Sequence, residues 1–274
     1  PVLGLQRADL RMHRKLVVID EAVAYTGSFN MIDPTGYDAA VEVGAWVDAM
    51  VRLEGPAVIS LLAVWRFDWA LQPDEDLSDL EHDYALLDMP NCGPASVVTI
   101  PSGPYEKGDQ SLHLVIETIN RAERTLSITT PYFVPNEAVV IALVNAAMRV
   151  RVELIVPHRT DSRAVAWATR RYFDDLLQAG VKILYFEGGL LHTKAVAVDE
   201  EFVLFGTLNI DNRSMHLNFE LSLLIFDAGF AEDFGKTLAR YRASSVPIDP
   251  ERWRRRPVVE RLKEGASYLI SPLL

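Results

Sequence analysis

The stretch Leu191–Asn209, LHTKAVAVDEEFVLFGTLN, places a histidine two residues before a lysine, then an aspartate, a Gly-Thr turn and an asparagine, all within an apolar strand pattern. Residues i and i+2 of a β-strand share a face. His192 and Lys194 therefore project together while Thr193 points away. A cation beside an imidazole suits a phosphate group: the lysine neutralises non-bridging oxygens while the histidine attacks phosphorus or protonates a leaving oxygen. Gly206 and Thr207 read as a tight turn that presents a backbone N–H and a hydroxyl to an anion, and Asn209 adds an amide donor.

The same arrangement occurs near the start, in Met12–Asn30, MHRKLVVIDEAVAYTGSFN. His13, Lys15, Asp20, Gly27, Ser28 and Asn30 match His192, Lys194, Asp199, Gly206, Thr207 and Asn209 at a constant offset of 179 residues. That period is about one domain and far too long for a solenoid. It reads as a duplication in which each copy supplies half of a site. One His-x-Lys in a strand is ordinarily a solvated face, and one Gly-Ser-x-Asn is ordinarily a turn. The doubled combination at fixed offset is what points to chemistry. Asp20 and Asp199 stay open between an active role and a hairpin role.

From Ser96 onward strand and helix patterns alternate. SVVTI, TLSITT, RVELIVP and VKILYF read as strands, and SLHLVIETINRA, NEAVVIALVNAAMR and DSRAVAWATRRYFDDLLQAG as helices. The motif strand, its partner Phe202–Phe205, the strand FELSLLIF and a helix from Phe230 to Tyr241 follow. The expected class is an α/β sandwich with a mixed sheet. Before Ser96 there are only the motif hairpin, a strand GAWVDAMVRL, a helix from Pro56 to Ala70 and a polar linker. The expected division is 1–94 for the C-terminal part of a first copy plus linker, and 95–274 for a second copy with a basic and apolar tail. The first copy reads as N-terminally truncated, which predicts an unpaired sheet edge and poor solubility of the isolated chain.

With 49% hydrophobic residues among 274 the chain is globular. A formal charge of −11 argues against nucleic acid as a partner, since polyanion binding needs a basic field. Cys92, the single cysteine, reads as a small buried apolar residue. No run of about 18 apolar residues marks a transmembrane helix.

Both copies read H-x-K-x4-D-x6-G-[ST]-x-N, and in this the chain resembles the phospholipase D superfamily. The likeness extends to bacterial cardiolipin synthases of the membrane-anchored type through MHRKLVVID, YTGSFNMIDP, WVDAMVRLEGP, TTPYFVP, AGVKILYFEGGLLHTK and the terminal SPLL. It implies duplicated phospholipase D-like domains and transfer without metal or other cofactor, through a phosphohistidine. His13 and His192 would be nucleophile and acid/base, with His13 the nucleophile by analogy. Lys15, Lys194, Asn30 and Asn209 would bind phosphoryl oxygens with help from Ser28 and Thr207, and Asp20 and Asp199 would belong to the catalytic set. A carboxylate on each imidazole fixes its tautomer; Glu220 is the candidate for His192 and Glu42 for His13.

The implied reaction makes cardiolipin and glycerol from two phosphatidylglycerol molecules, with phospholipid hydrolysis as the alternative and a non-catalytic lipid-binding role as a further rival. The implied location is the bacterial inner membrane, catalytic domains on the cytoplasmic side and an anchor N-terminal to Pro1. Tyr132, Phe133, His158 and Arg159 follow strand ends and read as packing or as the entrance to the site. Arg163, Arg170 and Arg171 read as a solvated helix face. The tail, with Arg252, Trp253, Arg254, Arg255 and Arg256, suits an anionic membrane surface.

Overall fold

Short Val- and Ile-rich runs punctuated by Asp, Gly and Pro give the chain its strands. The computed structural model describes residues 10–33, 43–71, 89–104 and 108–269. In chain order the first copy supplies β1 (Leu16–Ile19), β2 (Val23–Gly27), β3 (Trp46–Val47), β4 (Met50–Glu54) and α1 (Ala57–Ala70). The second begins with β5 (Ser96–Ser102), α2 (Gln110–Asn120), β6 (Thr125–Thr129), β7 (Phe133–Val134), α3 (Glu137–Ala147), β8 (Arg151–Pro157), α4 (Arg163–Arg171), α5 (Phe173–Gln178) and β9 (Lys182–Phe186). It continues through β10 (Leu190–Leu191), β11 (Lys194–Val198), β12 (Phe202–Gly206), β13 (Ile210–Asp211), α6 (Asn212–His216), β14 (Glu220–Phe226), α7 (Ala228–Ala243), β15 (Ser245–Pro247), α8 (Pro250–Arg254) and α9 (Val258–Leu269).

The central sheet has eight strands in the order β15-β9-β8-β6-β11-β12-β14-β5. β6, β8 and β9 run parallel and the remaining pairs antiparallel, so the sheet is mixed, as the sequence pattern predicts. The first copy forms its own antiparallel sheet, β1-β2-β4, in which β1 pairs with β2 alone among the described residues. Two parallel contacts cross between the copies: β3 with β10, and a bridge between Met12 and Phe219.

Alternation along the strands sends side chains to two cores. Leu154 and Ile183 face α2, α3 and α5, whereas their neighbours Ile155 and Leu184 face α7 and the first copy. In that second core Val51, Leu53, Val58, Leu61 and Val64 pack with Ala195, Val203, Phe205, Leu221 and Leu223. Burying a side chain of this size contributes about 1.5–3 kcal/mol. Separating the copies would therefore expose apolar surface worth on the order of 10 kcal/mol.

The two motif hairpins turn identically. Asp20, Glu21, Asp199 and Glu200 all have φ between 51° and 62°, the paired left-handed conformation of a two-residue type I′ turn. Ala22 donates its N–H to the Ile19 carbonyl, and Glu201 donates to Val198. Aspartate tolerates this conformation better than most residues. Asp199 also accepts backbone N–H bonds from Glu123, Arg124 and Thr125 and so fixes the entry to β6.

Three expectations change here. The stretch GAWVDAMVRL is broken into β3 and β4 around Asp48 and Ala49. Cys92 is exposed, its thiol bonded to the Pro90 carbonyl. Trp253 of the tail is buried: its indole N–H donates to Asp174, and the Arg170 and Arg256 guanidinium groups stand 4.8 and 4.6 Å from its ring centroid. Arg256 pairs with Asp174 and Glu264. These two tail residues are thus spent on packing. Glu42, most of the polar linker and the terminal SPLL lie outside the described residues.

Candidate active site

Each motif histidine is held by the other copy. His13 donates its backbone N–H to the Phe219 carbonyl at 3.0 Å, and its Nδ1 lies 2.8 Å from Oε2 of the next residue, Glu220. His192 donates its backbone N–H to the Val47 carbonyl at 2.9 Å, and its Nδ1 lies 2.7 Å from Oδ1 of the next residue, Asp48. The two halves repeat one device. Glu220 is therefore the partner of His13 and not of His192. Sequence spacing measured within one copy misses this, because the pairing crosses between copies. The carboxylate that serves His192 is Asp48.

The turn hydroxyls orient those carboxylates. Ser28 donates to Asp48 at 2.7 Å and Thr207 donates to Glu220 at 2.5 Å, and both hydroxyls are buried. Asn218 adds a third donor to Glu220 at 3.1 Å. Ser28 and Thr207 are thus committed to the imidazole partners and not to a phosphoryl group. The glycine before each is set by close approach: a Cβ on Gly27 would lie 2.3 Å from the Ala49 carbonyl oxygen, and one on Gly206 2.2 Å from that of Leu221.

Lys15 and Lys194 are buried, and each donates Nζ to the carbonyl of its own motif histidine at 2.6 Å. Asn209 is buried as well, and its Oδ1 has no hydrogen-bond partner among the described residues. Asn30 is half-buried. Asp20 and Asp199 sit in the turns beyond the far ends of four- and five-residue strands, roughly 16 Å along the chain from the lysines at about 3.3 Å per residue. They shape the hairpins and do not join the site.

Burial sets the protonation of the cluster. His192, with Trp46 packed 4.8 Å away, is pushed well below the usual imidazole range by burial and then by the Lys194 charge, against the pull of Asp48. Asp48 goes the same way: its own burial pushes upward, but the hydrogen bond and charge of His192, then Ser28 and Lys194, bring it below the ordinary carboxylate value. The pair is therefore a carboxylate holding a neutral imidazole by Nδ1–H, with the Nε2 lone pair free. Burial and the neighbouring Lys15 lower Lys194 well below its normal range. Burial lowers Lys15 to about 8, against the attraction of Glu220 and Asp48.

The Lys15 value gives a pH prediction. A lysine lowered by burial loses its charge as pH rises through that value, so anion binding is full below pH 8 and falls above it. We expect kcat/KM to drop about tenfold per pH unit above pH 8, and a Lys15→Arg variant to move that limb upward, since guanidinium stays charged. A pH profile without an alkaline limb below pH 10 would contradict the assignment.

Sequence reasoning missed Asp48 and also Asp211, whose carboxyl burial raises to about 6 and which caps α6 through the Ser214 N–H at 2.6 Å. Aligning the strands rather than the motifs finds Asp48, because β4 and β14 pair alike: Gly27 faces Met50 and Gly206 faces Ser222. Phe133 is buried, and the Tyr132 hydroxyl donates to Asp161, so both are packing residues. His158 and Arg159 line a cavity of about 740 Å3 beside Gly188 and Gly189, just before β10. Arg170 is half-buried and pairs with Glu260 and Glu264, whereas Arg163 and Arg171 are exposed, so the helix face is covered at Arg170 and solvated at the other two.

Residues 115–242 match the family model described as "Cardiolipin synthase, PLD-like domain". The chain is 43% identical over 271 residues to cardiolipin synthase A of Klebsiella pneumoniae and 42% identical to that of Cronobacter sakazakii, covering 98% of this chain and 56% of each relative. It thus spans little more than half the length of these relatives. The crystal structure of phosphatidylserine synthase from Haemophilus influenzae superposes with a TM-score of 0.66 at 16% identity, over 97% of this chain and 72% of that one, and so shares the fold. Two complete motifs joined across a shared core accompany this similarity to cardiolipin synthases with a PLD-like domain.

Proposed function

We propose that the protein is a phosphatidyltransferase that makes cardiolipin and glycerol from two molecules of phosphatidylglycerol. The observation that carries this reading is the reciprocal pairing: two imidazoles, each with Nδ1 on a carboxylate from the other copy and Nε2 free, beside two buried lysines. The similarity to cardiolipin synthases supports the choice of substrate.

In the first step an Nε2 lone pair attacks phosphorus, the bond to the glycerol oxygen breaks, and the second imidazole gives that oxygen a proton. In the second step the second imidazole takes a proton from a headgroup hydroxyl of another phosphatidylglycerol. That oxygen then displaces the histidine from phosphorus. Lys15 and Lys194 neutralise the non-bridging oxygens, with the Asn30 and Asn209 amides beside them. Burial keeps His192 neutral, which a nucleophile requires, so we assign the attack to His192 in place of the His13 expected from the resemblance. The more exposed His13, at 22% against 3%, then carries protons to and from the alcohols. The proposed working location is a membrane holding the lipid substrate. No helix among the described residues is long and apolar enough to cross one.

Incubating the full-length protein with phosphatidylglycerol and separating the lipids tests the reading. Cardiolipin with one glycerol released per molecule formed is the expected result. Phosphatidic acid without cardiolipin would replace transfer by hydrolysis, with water as the acceptor. A phosphodiester with a p-nitrophenol leaving group tests the division of labour, since that leaving group needs no proton. His13→Asn should still form a phosphoenzyme from it and His192→Asn should not; the reverse would return the nucleophile to His13.

A further inference from the structure

Helix α9 is built inside out. A surface helix ordinarily turns its apolar stripe to the core and its charges to water. Here the inward side carries Glu264, buried and bonded to Arg170 and Arg256, and Glu260, bonded to Arg170. The outward side carries Val258, Val259, Leu262 and Leu269, exposed at 67, 60, 68 and 80%. At about 100° per residue these four fall within an arc of about 100°. They form one continuous stripe.

The charge around the stripe is of one sign. Residues 250–269 hold six basic and three acidic side chains in a chain whose formal charge is −11. Two of the three acids are turned inward onto Arg170 and Arg256, and the third, Glu251, pairs with Arg254. Arg252, Arg255 and Arg261 are exposed beside the stripe. An apolar stripe bordered by cations on an otherwise acidic molecule fits a surface that is apolar below and anionic above. Stable association of two protein copies needs about 800 Å2 per partner, more than one four-residue stripe supplies.

We infer that the outer face of α9, with the arginines of α8 and the α8–α9 turn, docks on an anionic phospholipid surface, Leu262 and its neighbours entering between headgroups. The inference deepens the proposed function, resting on its reading of an anionic lipid as substrate. It also gives α9 a mechanical place: α9 packs on α4, α4 on β7, and β7 pairs with β13, the strand that directly follows Asn209. Tyr268 of α9 meets Tyr172, which in turn meets Phe133 of β7. Only three packed elements separate the docked face from the phosphate site.

The test is flotation of the 274-residue chain with vesicles, scored for bound protein and not for activity. The wild-type chain should float with equimolar phosphatidylglycerol and phosphatidylcholine, and much less with phosphatidylcholine alone. The double substitution Val258→Gln with Leu262→Gln removes exposed side chains only, so its circular dichroism should be unchanged while vesicle binding falls at least about tenfold. Arg252→Gln with Arg261→Gln should weaken binding to the anionic vesicles and flatten its salt dependence. A wild-type chain that does not float, or a glutamine variant that floats as well as wild type, overturns the inference. So does a dimer in size exclusion that Leu262→Gln dissolves, which would assign the face to a second copy. Flotation without cardiolipin formation would sink the proposed function alone, and cardiolipin formation from detergent-dispersed lipid without flotation would sink this inference alone.

Discussion

Replacing either His13 or His192 by asparagine should lower transfer by at least about four orders of magnitude while leaving the fold intact. Positioned proton transfer alone is worth about 10²–10⁴, and loss of the covalent route adds to it for the attacking residue. Asparagine is the informative substitution because its amide can still donate to Asp48 or Glu220, so neither buried carboxylate is stranded. The double variant should be scarcely worse than either single one, since the two imidazoles act in one reaction coordinate and their losses do not add. Retention of even a hundredth of wild-type cardiolipin formation by either variant would contradict the pairing, as would additive losses.

The second large effect is on stability. Arg14 lies between His13 and Lys15, just ahead of β1, where its Nε donates to the Glu220 carbonyl and its Nη2 to the Ser102 carbonyl, both at 2.9 Å. Its Nη1 pairs with Asp68 of α1 at 2.5 Å, and its side chain is nearly inaccessible. One guanidinium thus ties the first motif to β14, β5 and α1 together. Arg14→Met keeps most of the volume and removes every donor. It leaves Asp68, whose carboxyl burial already pushes upward, without its cation. Breaking one side of a buried pair costs about 3–5 kcal/mol. The denaturant midpoint should fall accordingly, and Arg14→Met with Asp68→Leu should recover part of the loss, because the stranded carboxylate is gone. An unchanged midpoint in Arg14→Met would rule out this role.

How much of the site was legible in the sequence depends on how local each feature is. His13, Lys15, His192 and Lys194 were readable because i and i+2 in a strand must share a face. The turn glycines were readable as turns, although the reason for them, a neighbouring carbonyl where a Cβ would sit, is a tertiary fact. The motif aspartates misled because a motif gives spacing without saying which end of the strand faces the substrate. Asp48 was hidden by loop length: 18 positions separate it from Asn30, but only 11 separate Glu220 from Asn209. Counting forward from the motif therefore arrives at Glu42 and not at Asp48. The crossing of partners lay beyond any local rule, since it depends on how two sheets dock. The inverted polarity of α9 was half visible, its basic and apolar residues being plain in the sequence while the inward ion pairs were not.

The crossed pairing of imidazoles and carboxylates also works as a safeguard. A molecule whose two halves have not yet met holds two histidines with no group to fix their tautomers and two lysines with no facing charge. Such a species has no oriented nucleophile, so a folding intermediate or a misassembled chain cannot carry out the proposed transfer. Reactivity and correct assembly switch on in one event. The same arrangement couples the two copies, because a change at Asp48 is felt at His192 and a change at Glu220 at His13. Neither half completes its site alone.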